Sequence, residues 1–249
     1  MKKSTVQKCM AVLLALALWQ AAAMAVDLPM LLCAPTQVAL RLTTIWREEG
    51  FFATVLFSLL RIGGGFLLAA VTGVALGIAA GRFPLLETLL WPYVVTIRSV
   101  PVASFIIIAL IWLSGRQLAV FIAFLMVFPV VYGNTLQGIR SANGALLEMA
   151  ALYRVPWRRR LGYIYLPHMK PFLLSACSVG AGLAWKAGVA AEVIGVVGGS
   201  MGEKLYESKI YFETCDLLSW TVLIVALSVG LEKLLVWALK RGLARWEAR

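Results

Sequence analysis

Residues 148–155 read EMAALYRV, residues 157–160 read WRRR and residues 164–167 read IYLP, and together they form one polar segment between two long apolar stretches. The segment combines one glutamate, Glu148, with four arginines, whereas leucine, valine and alanine dominate the sequence on either side. In a mostly apolar chain, a helix-forming, positively charged segment of this kind indicates a surface on which another molecule docks. The segment therefore predicts a helical membrane protein with a docking surface.

The composition excludes an ordinary soluble domain. Of the 249 residues, 61% are hydrophobic and 14% are charged, and the mean hydropathy is +0.88. Soluble domains carry about 25% charged residues. The formal net charge of +11 would suit a nucleic-acid binder, but the basic residues cluster at the ends of apolar stretches. We therefore predict an integral membrane protein that contacts lipid, with no nucleic acid as a partner.

Six apolar stretches are each close to the length of about 20 residues that a helix needs to cross the hydrocarbon core. They are residues 9–26, 52–80, 89–113, 117–137, 172–195 and 217–239. The fold class predicted from them is all-α and integral to the membrane, with about six transmembrane helices. The polar segment falls between the fourth and the fifth helix.

The distribution of basic residues predicts the orientation. If the N-terminus lies in the cytoplasm, the cytoplasmic segments hold fifteen lysines and arginines and the outer segments hold five. Those five are Arg41, Arg47, Arg116, Lys204 and Lys209. Because short cytoplasmic loops carry the excess of basic residues, both termini and the polar segment are predicted to be cytoplasmic.

Residues 1–50 are predicted to form one unit, an N-terminal membrane helix with an outer interfacial loop, and residues 51–249 form the main transmembrane domain. Lys2 and Lys3, an apolar run and Ala23-Met-Ala25 also resemble a signal peptide with an A-x-A cleavage site. Two alternatives stay open: an uncleaved first helix, which we favour, and a cleaved leader. Residue 27 onward lies outside in either case.

Four cysteines in a chain of this size do not indicate a disulfide scaffold. Cys9 and Cys177 fall in or near membrane spans, where they are expected to pack as small apolar side chains. Cys33 and Cys215 are both predicted to lie outside, and a bridge requires their Cα atoms to come within about 4–7 Å. The sequence leaves that pairing open. The single histidine, His168, lies at the cytoplasmic interface, and no metal site is predicted.

Small residues recur at every fourth position of the second span. They are Gly65, Ala69, Gly73, Gly77 and Gly81. Residues four apart share one helix face, so this ridge allows another backbone to approach closely. We favour tight helix packing within the subunit over the alternative, an interface with another subunit.

The third span contains Pro92 and Pro101, each of which removes a helical hydrogen bond. Between them lies the polar stretch 96–100, with Arg98 well inside the hydrophobic region. Such a bend is tolerated where neighbouring helices satisfy the freed backbone groups. We predict a bent helix that lines a pathway.

Arg98, Lys186 and Glu192 are the candidate pathway residues within the predicted spans. A charge at the bilayer centre costs at least about 2.5–3.5 kcal/mol, so each should face protein or water. Two alternatives follow. Either Arg98 and Lys186 line a pathway for an anionic solute, or they pair with Glu192 or with helix-end carbonyls and stabilise the bundle.

The polar segment resembles the EAA loop of permease subunits of ABC importers, the loop that docks on the cytoplasmic ATPase. The residues assigned to this ATPase-docking loop are Glu148, Ala150, Ala151, Tyr153, Arg154, Leu166 and Pro167. Glu148 and Pro167 are nineteen positions apart, as in that motif. The family's usual glycine, six residues after the glutamate, is Arg154 here, and this departure puts the local turn in question.

Two further stretches resemble the branch of the family that handles nitrate, sulfonates and taurine. One runs from Leu85-Leu-Glu87 through Trp91-Pro92 to Arg98-Ser-Val-Pro101, and the other is Ala190-Ala-Glu192. The resemblance covers most of residues 55–240.

The resemblance implies a permease subunit of the bacterial inner membrane that imports a small, anionic solute, with residues 51–249 as the ABC importer transmembrane domain. The implied partners are two cytoplasmic ABC ATPase subunits, an extracytoplasmic solute-binding protein and a second copy of the permease in a homodimer. ATP and Mg²⁺ would bind on the partner ATPase. The chain has no Walker A motif, and we expect it to bind no cofactor and to be a transport subunit rather than an enzyme.

The residues of the polar segment suit a docking helix. Asn143 can cap a helix that runs from about Gly144 to Arg154 and ends near Pro156. Ala150 and Ala151 are small enough for close approach of a partner. A second short helix over 157–164 would carry its three arginines toward lipid headgroups or the partner.

Two other classes of protein explain less of the sequence. An ion-coupled secondary transporter or channel would use Arg98, Lys186 and Glu192 without an ATPase, and inverted repeats would favour it, but none is convincing. An intramembrane enzyme would need paired catalytic groups, whereas the spans hold no histidine and no H-E-x-x-H motif. Both classes leave the docking loop without a role.

Overall fold

The computed structural model describes residues 2–28 and 30–247. The predicted units 1–50 and 51–249 also include Met1, Pro29 and residues 248–249, which lie outside the described residues. Every regular element in it is helical. The helices are α1 (Lys2–Val26), α2 (Pro35–Leu42), α3 (Phe51–Arg82), α4 (Pro84–Ser99), α5 (Val102–Ala109), α6 (Gly115–Arg140), α7 (Gly144–Leu152), α8 (Trp157–Arg160), α9 (Leu166–Ile194), α10 (Met201–Ile210) and α11 (Thr214–Glu247). A 3-10 turn, Ile45–Arg47, follows α2, and a π-helical segment, Leu161–Tyr165, joins α8 to α9.

Within the described residues, five helical stretches are long and apolar enough to cross a membrane. They are Val6–Val26, Phe51–Arg82, Gly115–Arg140, Trp157–Ile194 and Thr214–Gly242. Helices α4 and α5, which meet at an angle of 103°, give a sixth crossing if the bent pair is counted as one span. The predicted all-α membrane fold with about six spans is confirmed.

The third predicted span, 89–113, is not one helix but the bent pair α4 and α5. The break lies at Val100, whose φ of −83° and ψ of 133° are extended, as expected for a residue that precedes proline. Pro92 stays inside α4, where the Thr96 hydroxyl donates to its carbonyl at 2.8 Å. The bend therefore follows from Pro101, because the chain leaves helical backbone immediately before it.

The small-residue ridge of α3 faces α6. A Cβ on Gly65 would lie 2.4 Å from the carbonyl oxygen of Val120, so the two backbones touch at this point. Ala69 is fully buried, and Gly73, Gly77 and Gly81 lie against Val131, Thr135 and Ile139 of the same helix. The structure thus places the ridge at a helix contact within the chain.

The centre of the bundle consists of α3, α6 and α9, and α11 is attached to its side. Trp185 of α9 is 2% exposed, and its indole N–H donates to the Ile224 carbonyl of α11 at 2.9 Å. The Ser178 hydroxyl of α9 also donates to Glu232 of α11. Helix α1 also lies at the edge of the bundle, and in both α1 and α11 only 6% of the membrane-crossing window is buried.

A disulfide joins Cys33, just before α2, to Cys215 in the first turn of α11. The two Cα atoms are 5.2 Å apart, within the range that this bond requires. The pairing that the sequence left open is therefore present. Arg41 strengthens the same contact with two hydrogen bonds of 2.6 Å to Asp216, and this bonding raises the pKa of its guanidinium above the ordinary value. We call this end of the molecule, which also holds α10, the α10 end.

Helix α10 was not predicted from the sequence, and it follows a glycine-rich turn over residues 195–199. The turn ends at Ser200, whose hydroxyl accepts a hydrogen bond from the Glu203 N–H at 3.1 Å. The Glu203 carboxylate in turn accepts from the Gly199 N–H at 2.6 Å. Serine followed three residues later by glutamate is a helix-start signal, which the glycines obscured.

At the opposite end, which we call the α7 end, the helix expected over 157–164 does not stand apart. It continues through the π-helical segment into α9, so that Trp157–Ile194 is one stretch. Pro167 lies in the first turn of α9 and Pro171 lies inside the helix, and neither breaks it.

Candidate functional site

Helix α7 presents most of its surface away from the bundle at the α7 end. The Asn143 side chain accepts a hydrogen bond from the Ala145 N–H at 2.9 Å, so the expected N-cap is confirmed. Ala150 is the buried residue of this helix, at 3% exposure. Five of the other motif residues are exposed: Glu148, Ala151, Tyr153, Arg154 and Pro167.

Large apolar and aromatic side chains are exposed on the same part of the chain as the carboxylate of Glu148. Leu152 is 79% exposed, Tyr153 is 74% exposed and Tyr163 is 82% exposed. Aromatic residues are typical of protein interfaces, whereas a polar end that faced only water would carry fewer of them. The surface fits a protein partner.

The turn after α7 contains a residue in the left-handed conformation, Arg154, with φ +52°. The Val155 N–H donates to the Ala150 carbonyl at 2.9 Å, and the Arg154 N–H donates to the Ala151 carbonyl at 3.0 Å. This pair of hydrogen bonds is a Schellman motif, in which glycine normally takes the left-handed position. Arginine therefore keeps the turn that the sequence analysis had put in question.

Arg160 closes the same turn from the other side. Its Nε donates to the Val155 carbonyl at 2.7 Å and its Nη2 donates to the Ala150 carbonyl at 2.9 Å. Arg158 and Arg159 are exposed, as expected for groups that meet headgroups or a partner. The same expectation is wrong for Arg160, because backbone carbonyls of its own chain hold its guanidinium.

The last two motif residues, Leu166 and Pro167, open α9. Just before them, the rings of Trp157 and Tyr165 are 5.1 Å apart, and the Arg82 guanidinium lies 4.7 Å from the centre of the Trp157 ring. Arg82 belongs to the last turn of α3. These contacts attach residues 144–167, which we call the 144–167 segment, to the central helices.

Arg98, the first candidate pathway residue, is an exposed residue of α4 that reaches across to α6. Its Nη2 donates to the Pro129 carbonyl at 2.7 Å. A Cβ on Gly133 would lie 2.7 Å from the same nitrogen, so only the absence of a side chain there leaves room for the guanidinium. Arg98 thus bonds a carbonyl in the interior of α6, not one of the helix-end carbonyls that the second alternative named.

Glu192 is fully buried at the α10 end and does not reach the surface. Its Oε2 accepts from the Ser58 hydroxyl at 2.8 Å and from the Gly202 N–H at 3.4 Å. The carboxylate therefore joins α3, α9 and the start of α10. Among the described hydrogen bonds and ion pairs, it meets neither Arg98 nor Lys186, so the three candidates do not form one cluster.

Lys186 is exposed on α9, on the side where the neighbouring Ala187 and Ala190 pack against α5. A lysine exposed in the middle of a membrane-crossing helix needs water or a second protein surface around it. Arg98 on α4 and Lys186 on α9 thus remain exposed cations within the bundle, whereas Glu192 is part of its packing.

The sequence analysis missed three residues of these sites. Ser58 and Gly202 hold Glu192, and neither carries a local signal, because their role depends on where α10 lies. Arg160 was grouped with its exposed neighbours. Its spacing from Ala150 and Val155 could have indicated a helix cap, since basic side chains favour the carbonyl end of a helix.

A bundle of apolar helices with an exposed helical segment at one end is typical of a class of proteins, the multi-pass membrane subunits of transport assemblies. The chain belongs to the family of binding-protein-dependent transport system inner membrane components, which matches residues 73–246.

Several relatives share most of the chain. The taurine transport system permease protein of Escherichia coli is 28% identical over 92% of this chain and 84% of that protein. The bicarbonate transport system permease protein of Synechococcus elongatus is 27% identical over 81% of this chain and 71% of that protein. A putative aliphatic sulfonates transport permease protein of Bacillus subtilis is 28% identical over 85% of this chain and 76% of that protein.

Among solved structures, a crystal structure of an amino acid ABC transporter with histidines has a similar fold. The TM-score is 0.59, and the match covers 82% of this chain and 97% of that chain. At 16% sequence identity the likeness shows the fold alone.

The resemblance to permeases of the nitrate, sulfonate and taurine branch is confirmed. The chain is the membrane-spanning permease subunit of an ABC importer and a transport subunit rather than an enzyme. Its family implies an ATPase and a binding protein as partners. An ion-coupled transporter without an ATPase is not favoured.

Proposed function

We propose that the 144–167 segment is the surface on which a cytoplasmic ATPase docks. The observation that carries this proposal is the exposed face of α7, where Glu148 lies beside Leu152 and Tyr153. Apolar contact area next to one carboxylate suits a protein cleft lined by a basic residue. Leu166 and Pro167 complete the segment where it enters the membrane.

Movement of the ATPase would pass into the membrane through Trp157–Ile194. Because this stretch is continuous, displacement of its α8 end also displaces α9. Two copies of the chain would form a homodimer with two ATPase subunits, which bind ATP and Mg²⁺. Closure of the ATPases brings the two α7 helices together and opens the pathway toward the binding protein, and hydrolysis resets it.

The proposed location is the bacterial inner membrane, with both termini and the 144–167 segment in the cytoplasm. The α10 end would then face the binding protein. The disulfide supports this orientation, because such bonds form and persist in the oxidising extracytoplasmic space and are rare in the cytoplasm.

The proposed substrate class is a small anion. Relatives carry taurine, bicarbonate and sulfonates in their names, and each of these solutes bears a negative group. Arg98 and Lys186 are exposed cations within the membrane-crossing bundle. We expect Lys186→Gln to lower solute uptake at least about tenfold in normally assembled protein. Unchanged uptake would remove Lys186 from the pathway, and Lys209→Gln at the α10 end is the control.

Docking is tested by affinity purification of the tagged chain from native membranes. An ATPase should accompany the wild type but not Glu148→Arg, because the substitution turns an attractive charge into a repulsive one. Glu49→Arg makes the same change at an exposed position of the opposite end and should leave the recovery of the ATPase intact. Equal recovery with both variants would refute the docking role of the segment.

A further inference from the structure

We propose that Arg160 positions the docking helix α7, because it stabilises the turn that the family builds with glycine and this chain builds with Arg154. The inference rests on the docking function proposed above and adds to it a residue outside the recognised motif. Arg160 acts through α7 and does not itself contact the ATPase.

The turn needs support because of the residue at its centre. Arg154 has φ +52°, a conformation in which the Cβ of any residue other than glycine crowds the following carbonyl. A chain that places arginine there loses turn stability relative to glycine. Left without compensation, the turn would open, and the direction in which α7 points would vary.

Arg160 supplies two charge-assisted hydrogen bonds at that point. The Ala150 carbonyl already accepts from the Val155 N–H, and the Arg160 Nη2 occupies its second acceptor position at 2.9 Å. The Arg160 Nε binds the Val155 carbonyl, on the far side of Arg154, at 2.7 Å. The guanidinium therefore spans the left-handed residue and holds both of its flanks.

The electrostatics favour this arrangement. The carbonyl end of α7 carries partial negative charge, and a cation there stabilises a helix. A guanidinium offers two parallel donors in a fixed plane, whereas a lysine ammonium is a single point of charge on a flexible stem. The geometry points to a requirement for arginine rather than for positive charge alone.

The two bonds also couple α7 to the membrane-crossing stretch. Arg160 lies in α8, at the start of the continuous helix Trp157–Ile194, whereas Ala150 lies in α7. The guanidinium thus fixes the angle between the docking helix and the helix that enters the membrane. Loss of that angle would weaken docking even though every side chain on the exposed face of α7 remained.

The test compares Arg160→Ala with Arg159→Ala, a matched loss of one exposed arginine beside it. Two quantities are measured on the full-length tagged protein: recovery of the ATPase, and hydrogen exchange of the backbone amides of residues 150–155. Arg160→Ala should lower recovery about fivefold and speed exchange about fivefold, the loss expected for such hydrogen bonds. Arg160→Lys should behave like alanine, and Arg159→Ala should leave the hydrogen exchange of these amides at the wild-type rate.

Rescue separates this role from a general structural defect. Arg154→Gly removes the strain that Arg160 offsets, so the double variant Arg154→Gly/Arg160→Ala should recover at least half of the lost ATPase binding. Equal hydrogen exchange in Arg160→Ala and Arg159→Ala would overturn the inference, as would a double variant that recovers no more ATPase than Arg160→Ala. If Glu148→Arg leaves docking intact, the docking function fails, and the exchange measurement alone still decides the role of Arg160.

Discussion

Gly64 and Gly65 are neighbours in α3, but a side chain would meet different surroundings at the two positions. A Cβ on Gly65 would lie 2.4 Å from the Val120 carbonyl oxygen and 2.9 Å from the Ala123 Cβ. A Cβ on Gly64 would meet no atom within 4 Å. Because helix backbone cannot move aside as a flexible side chain can, the tolerance of a methyl group should differ sharply between adjacent residues.

We expect Gly65→Ala to lower the free energy of unfolding by about 1–3 kcal/mol, the cost of overpacking a close helix contact. Gly64→Ala should be neutral or stabilising by up to about 1 kcal/mol, since alanine favours helix over glycine. Thermal unfolding of the purified variants in the same detergent measures the difference. Equal unfolding midpoints would show that α3 and α6 do not approach as closely as described.

At position 133, unlike position 65, the glycine leaves room for a flexible side chain and not for the backbone of another helix. A Cβ there would meet the end of the flexible Arg98 side chain rather than backbone. The side chain can move, so the protein should remain folded while the guanidinium leaves the Pro129 carbonyl. Gly133 thus determines where a candidate pathway cation lies, and Gly65 determines whether two helices meet.

Among the elements, α2 and the start of α11 are held together although they are far apart in sequence. The disulfide between Cys33 and Cys215 closes a loop across a separation of 182 residues. Arg41 and Asp216 bond beside it, and the Trp19 indole of α1 donates to the Cys33 carbonyl at 3.1 Å. The exposed helix α1 is therefore connected to the bundle largely through this contact.

We expect the double variant Cys33→Ser/Cys215→Ser to lose about 2–4 kcal/mol of stability, less than a loop of this length suggests, because the Arg41–Asp216 pair remains. Thermal unfolding with and without a reductant measures the loss, and Cys9→Ser is the control. Alkylation of the denatured, unreduced protein should modify Cys9 and Cys177 alone. Four modified cysteines without reductant would contradict the pairing.

Most of the helices could be predicted from the sequence because apolar length is a local property. The ridge from Gly65 to Gly81 likewise has a spacing that indicates a close helix contact. The break before Pro101 was harder to place, since Pro92 carries the same local signal yet stays inside α4. Which proline bends a helix depends on how the neighbouring helices satisfy the freed backbone, and that is a tertiary property.

The candidate site was less predictable for the same reason. The exposed face of α7 followed from Asn143, Glu148 and the spacing of apolar residues. The burial of Glu192 did not, because it depends on α10 lying over it, with the Gly202 N–H directed at its carboxylate. The pairing of Cys33 with Cys215 depends equally on the final fold, since nothing between them in sequence specifies their distance.

The whole molecule is electrically asymmetric. At the α10 end, Arg41 bonds Asp216, and Lys204 bonds Glu207 at 2.8 Å, which raises the pKa of Lys204. At the α7 end, Arg158 and Arg159 are exposed. Two basic residues of the α10 end are thus paired with carboxylates, whereas these two arginines of the α7 end give the exposed positive charge that cytoplasmic loops of membrane proteins typically show.

This asymmetry predicts which end is accessible from outside the cell. In a Cys9→Ser/Cys177→Ser background, Tyr211→Cys and Tyr163→Cys each place one free thiol at an exposed position, on the α10 end and the α7 end respectively. A membrane-impermeant maleimide applied to intact spheroplasts should label Tyr211→Cys, and should label Tyr163→Cys only after the membrane is opened. The reverse pattern would place the 144–167 segment outside, where no ATPase can meet it. That outcome would refute the docking function and the positioning role of Arg160 together, because ATP is hydrolysed on the cytoplasmic side.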